Sequence, residues 1–112
     1  MKGVIVRFEA PKASINGAEY EIIVSPMELH AKVRGYFGRL AAMNARDENS
    51  IRETIAAGCD LVDEALGAGM MARIAAGKPI SLPAVLQVLN AILDATNGAY
   101  RDYVRRNYGG GR

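Results

Sequence analysis

His30 and Cys59 are the only histidine and the only cysteine of the chain. Each stands apart from the groups that would put it to work. A histidine acting as general base needs a nucleophile beside it and a partner that orients its ring. His30 lies among Glu28, Leu29 and Lys32, with no such motif nearby, and reads as a surface or boundary residue. Cys59 falls on an apolar helical stripe, where a free thiol packs as a small hydrophobe. A basic neighbour or a helix N-terminus would activate it, whereas the nearby Asp60 and Asp63 act in the wrong direction. One cysteine excludes an intrachain disulfide, and one cysteine with one histidine excludes a zinc knuckle or a His/Cys cluster metal site.

Asp60, Asp63 and Glu64 cluster on one predicted helix, with Asp60 and Glu64 sharing a face. A divalent cation could sit there, but no loop of calcium-binding spacing and no second carboxylate cluster accompanies it. The expectation is a solvated acidic face, with a partner-facing patch as the alternative. Gly67-Ala68-Gly69-Met70-Met71-Ala72 spells the G-x-G-x-x-A of a dinucleotide-binding turn, which needs a strand directly before it; a helical pattern precedes it here. Gly35-Tyr36-Phe37-Gly38 spells a G-x-x-G loop, but inside a periodic helix. Tyr100, Tyr103 and Tyr108 interleave with Arg101, Arg105 and Arg106, and aromatics beside arginines can stack on single-stranded nucleic acid. The preferred reading is that Tyr100 and Tyr103 continue an apolar seam. Asp102 then pairs with Arg105 and Arg106, and the arginines suit the end of a helix. Neither a catalytic residue, a cofactor nor a metal site is expected, and the chain reads as non-enzymatic.

The elements that would position these residues follow from periodicity. Residues 4–9 alternate, with Val4, Val6 and Phe8 on one face. Residues 19–24 alternate too, with Tyr20, Ile22 and Val24 opposite Glu19 and Glu21, which argues for strands. Asn16-Gly17 between them is a strong hairpin signal, because both positions tolerate positive φ. Pro11 and Lys12 suit an edge or a break in the first strand. The hairpin is expected within 3–24 and helices over about 26–45, 50–66, 70–76 and 81–106. Together they make a single α+β domain over 1–108, with 109–112 a flexible tail. Ser25, Pro26 and Glu28 form a capping-box start. Leu29, Val33, Tyr36, Phe37, Leu40 and Met43 recur at helical spacing. Gly35 and Gly38 weaken this helix unless they admit a close neighbour. Asn49 or Ser50 caps the second helix, with Ile51, Ile55, Cys59, Val62 and Leu66 on its stripe and Gly67 and Gly69 ending it. Ser81 caps the last.

That last helix carries a heptad seam of Leu82, Leu86, Leu89, Leu93, Thr96, Tyr100 and Tyr103, beside a second stripe of Val85, Val88 and Ile92. Two apolar stripes imply burial by more than one neighbour, and in so small a domain one neighbour is expected to be another subunit. The self- or partner-contact residues expected are Leu82, Val85, Leu86, Leu89, Ile92, Leu93, Tyr100 and Tyr103. Arg101, Arg105 and Arg106 are the candidate basic contacts.

The chain's 112 residues fit one domain. Half are hydrophobic and 23% charged, so a packed core is attainable and wholesale disorder is excluded. Aromatics make up 6% and tryptophan is absent, leaving aliphatics, alanine and methionine to build that core. The net charge of +2 is well short of a dedicated nucleic-acid binder. It is uneven, however: the segment after Tyr100 carries +3 and the first hundred residues −1. The N-terminal apolar run is too short for a signal-peptide core, and no window reaches the length of a membrane span. A cytoplasmic protein is the simplest reading.

The order of features resembles that of the small tail assembly chaperones of long-tailed bacteriophages and prophages. The resemblance rests on the hairpin Asn16-Gly17-Ala18-Glu19-Tyr20-Glu21-Ile22, matching "NG-x-x-Y-x-I", and on the following Val24-Ser25-Pro26. It continues through the acidic middle helix to a final apolar helix introduced by Ile80-Ser81-Leu82-Pro83 and ending in a charged, tyrosine-containing tail. The present chain departs in being Ala/Gly-rich and less acidic. The resemblance implies a non-enzymatic protein that binds the tape measure protein, keeps its long apolar helices soluble and recruits tail tube subunits. Met27, Met43, Met70 and Met71 would offer an adaptable lining for such helices. A homo-oligomer acting in the bacterial cytoplasm is expected, without cofactor, metal or membrane. The alternative is a small DNA- or RNA-binding regulatory protein using its basic C-terminal helix.

Overall fold

The computed structural model describes residues 3 and 10–104. Its architecture is α+β: a two-stranded antiparallel hairpin followed by helices. Strand β1 is Lys12–Ile15 and β2 is Ala18–Glu21, with Ile15 opposite Ala18 and Lys12 opposite Glu21. Asn16 and Gly17 make the turn, at φ 53° and 80°. Positive φ at both central residues fits the right-handed strand twist, which is why Asn-Gly is found here. The pairing runs one step further, through a hydrogen bond from Ile22 N–H to the Pro11 carbonyl. Ala13, Ile15 and Ile22 are buried, while Glu19 and Glu21 face water. The first strand thus begins where a break was expected, and the second stops at Glu21 rather than Val24. The expected strand over 4–9 lies outside the described residues.

Helix α1, Pro26–Ala41, begins with Pro at its first turn, where a missing N–H costs nothing. Ser25 does not cap it through its side chain, so the expected capping box is absent; Ser25 contributes its carbonyl, which accepts from Leu29 N–H. The helix ends four residues before the expected 45, at Ala41. Helix α2, Glu48–Leu66, starts earlier than expected. Its cap is Asp47, whose carboxylate accepts from Asn49 N–H and from the Ser50 hydroxyl, both at 3.0 Å. Asn49 and Ser50 are therefore donors to the cap rather than the cap itself. Helix α3 is Met70–Ala75 and closes on two consecutive left-handed residues, Ala76 and Gly77, at φ 54° and 81°.

Helix α4 is Leu82–Val104. Ser81 caps it as expected, its hydroxyl accepting from Ala84 N–H. The remainder of the expected 81–106 span and the 109–112 tail lie outside the described residues. Packed against α1, α2 and β1, α4 is the central element of the core. The face it turns inward is Val85, Val88, Leu89, Ile92 and Thr96. Of the heptad seam, Leu82, Leu86 and Leu93 are only half-buried. Val85, Leu89 and Ile92 are each 0% exposed, which corrects their reading as an open contact surface. Two apolar stripes were needed because the hairpin covers one side of α4 and the helices α1 and α2 another. Burying each large aliphatic here contributes about 1.5–3 kcal/mol.

Candidate functional site

Helices α2 and α4 approach closely at Gly58. A Cβ placed on Gly58 would meet Val85 Cγ1 at 2.3 Å and the Tyr36 hydroxyl at 2.7 Å. Glycine is required here by lack of space rather than by backbone angle. Gly35 and Gly38, the expected places for such contact, meet only the Arg39 side chain and open space respectively. Tyr36 reaches across from α1 and donates its hydroxyl to the Thr54 carbonyl at 2.6 Å. Burial, with Cys59 nearby, raises Tyr36 above the ordinary tyrosine value of 10.0, against the opposing pull of Arg39. Burial also raises Cys59, and Asp63 and Asp60 push it the same way. The thiol is a half-buried packing group held in its neutral form.

The acidic face of α2 divides by role. Glu64 pairs with Lys32 of α1 at 2.6 Å. That hydrogen bond and the carboxylate's charge raise Lys32 above 10.5. Both partners are well exposed, so the pair contributes little to stability. Asp63 turns the other way, accepting from Gly69 N–H at 3.1 Å and Met71 N–H at 2.9 Å. It caps α3 from the end of α2, which corrects its reading as a solvated acid. The Gly67–Met71 turn therefore has two of its amides taken by a carboxylate of its own chain, and a helix precedes it; no phosphate cradle is present. Among the described residues, no group of three His, Cys, Asp or Glu side chains converges as a metal site. Nor is any helix there long and apolar enough to cross a membrane.

On the opposite side of α4 the packing opens. A cleft of about 490 Å³ lies between α4, α3, the connector that joins them and the tip of the hairpin. Ala84, Gln87, Val88 and Ala91 of α4 form its floor. Met71 and Ile74 of α3 form one wall, Ile15 and Asn16 another, and Lys78, Pro79 and Ile80 close one end. Its size is that of a ligand pocket. A shallower groove of about 420 Å³ runs between α1 and α2 and carries the charged Lys32, Arg39, Asp60 and Glu64. Ile23 and Met27, at 59% and 68%, are the large hydrophobic side chains most exposed among the described residues.

Of the expected contact residues, Leu82, Leu86 and Leu93 flank the buried face of α4, while Val85, Leu89 and Ile92 form part of that face. Tyr100 and Tyr103 sit in the last turns, where the backbone alone is described. Arg101 is exposed in the final turn, and Arg105 and Arg106 lie outside the described residues. The cleft itself escaped sequence reading, because Ala84, Gln87 and Ala91 belong to neither apolar stripe and its walls come from three separate segments. Comparison with family models, curated proteins and solved structures finds no match to this chain.

Proposed function

We propose that the protein is a non-enzymatic tail assembly chaperone of a long-tailed phage or prophage, acting in the bacterial cytoplasm. In this reading it shields apolar helices of the tape measure protein and assists tail tube assembly. The observation that carries it is the half-open cleft beside α4. At about 490 Å³ the cleft takes a few apolar anchor side chains of a partner helix rather than the helix itself. Asn16, the first residue of one of the motifs that carry the sequence resemblance, lines the same cleft.

Co-expression with tape measure segments tests the reading. Retention of an apolar helical segment, with a gain in its solubility, is the expected result; the absence of retention for every segment overturns it. Leu82, Leu86 and Leu93 are the half-buried α4 side chains left for a second copy in the proposed homo-oligomer. Light scattering across the soluble concentration range checks that association, and a strict monomer removes it.

A further inference from the structure

Residues 67–80 cross from α2 to α4 as a strap, with α3 in the middle. Among the described residues, every hydrogen bond of the strap stays within it or runs to Asp63. None ties it to α4 or to the hairpin. The Asp63 carboxylate, accepting from Gly69 and Met71, therefore holds the start of α3 against the body of the protein. Met71, 3% exposed, is the side chain that α3 buries in the core, whereas Ala72 and Arg73 face water. Helix α3 packs on α2, and the cleft separates it from Ala84, Val88 and Ala91 of α4. Both of its ends are flanked by positive φ: Gly67 and Gly69 at 125° and 79°, Ala76 and Gly77 at 54° and 81°. Glycine at three of these four positions leaves the backbone free to rotate there, as hinge positions at the ends of elements do.

We infer that this strap is a lid on the cleft, latched by Asp63 and hinged at Gly67 and Gly69 on one side and at Ala76 and Gly77 on the other. When the latch lets go, α3 leaves its seat and takes Met71 and Ile74 with it. A six-residue helix has too few turns to persist alone in water, so it melts as it leaves and the strap opens as one unit. One wall of the cleft goes with it, and a pocket for a few side chains becomes an open trough along Ala84, Val88 and Ala91. Such a local opening costs less than global unfolding, and any group that binds the open trough draws the population toward it. The lid follows from the ties of the strap itself and holds whichever apolar group enters the cleft.

Native-state hydrogen exchange on the full chain tests the lid. The amides of Gly69, Met71, Arg73 and Ala76 should exchange together, at least about ten-fold faster than those of Val62 and Leu89. Their rates should barely respond to low urea, because the opening exposes little surface. Peptide mapping after dilute hydrogen peroxide gives a second reading. Met71 should oxidise at a rate that follows the opening, with the exposed Met27 as reference. Asp63→Ala should speed both α3 exchange and Met71 oxidation about 2- to 30-fold, the range for loss of a helix cap, and leave Met27 unchanged. Ile92→Val, in the core away from the cleft lining, should speed exchange at Val62 and Leu89 about 2- to 12-fold and leave the α3 amides unmoved. Exchange of the α3 amides only together with Val62 and Leu89, at one urea dependence, overturns the lid, as does an α3 rate that follows Ile92→Val. Fast α3 exchange with Met71 still shielded from peroxide overturns it too, since α3 would then fray in its seat without uncovering the cleft. No arm uses a tape measure segment, so the lid and the chaperone reading can each fail while the other stands.

Discussion

Helix α4 meets two different neighbourhoods. Against α1 and α2 it is closed: Val85 lies where a Cβ on Gly58 would have to be, and Tyr36 fills the remaining space. Against α3 and the hairpin tip it is open, leaving about 490 Å³ beside Ala84, Val88 and Ala91. The difference comes from what faces the helix. A long helix with one residue stripped of its side chain can seat its backbone closely. A six-residue helix on a strained connector cannot follow α4 for long enough to close the gap. Closure serves the fold, and the open side is where we propose that a partner docks.

The contrast can be broken from the closed side first. Leu89→Ala should cost about 2–5 kcal/mol, because the cavity cannot collapse between three neighbours; urea unfolding measures it. Gly58→Ala should cost about 1–3 kcal/mol through overpacking against Val85, despite alanine's better helix propensity. A stabilised variant would show that α2 and α4 sit further apart than described. Asp63→Ala removes the acceptor of two amides at the start of α3 and should cost about 0.5–2 kcal/mol. Amide exchange should speed up in 69–75 before it does in α2. Ala76→Gly sharpens the open side, relieving a left-handed alanine; a gain of about 1 kcal/mol is expected.

A pH scan probes the closed side without mutation. Cys59 and Tyr36 both titrate above their ordinary values of 9.0 and 10.0 in the folded chain. The unfolded chain therefore loses these protons first, so the stability they contribute is complete below pH 9 and declines as pH climbs through the folded values. Urea midpoints should fall over that alkaline range. Tyr36→Phe should flatten the upper part of the decline; an unchanged slope would place the phenol outside the core.

Much of this frame was legible in residue order. The Asn-Gly turn, the inward set Tyr20, Ile22 and Val24, the sequence of helices and the Ser81 cap all follow from local chemistry, and the structure has them. What escaped depended on distant neighbours. Lys12–Ile15 pairs as a strand although it offers only Ala13 and Ile15 to the core, a pattern too short to stand out. Whether the leucine seam or the valine stripe of α4 faced inward turned on where the hairpin lay. Asp63 looked like surface because the amides it serves lie across a turn. Gly58 carried a faint signal: it continues the spacing of Ile55 and Val62, where a glycine serves only if something must come close.

The bond from Tyr36 to the Thr54 carbonyl has a practical consequence. The chain has five tyrosines and no tryptophan, so its near-ultraviolet spectrum belongs to phenols. Tyr36 is held in a chiral, largely dry setting with its hydroxyl bonded to an amide oxygen. Its band should be displaced from that of a water-exposed phenol and optically active. The molecule thus carries a built-in dye at the seam where its first helix joins the rest, readable during folding or partner capture without any label.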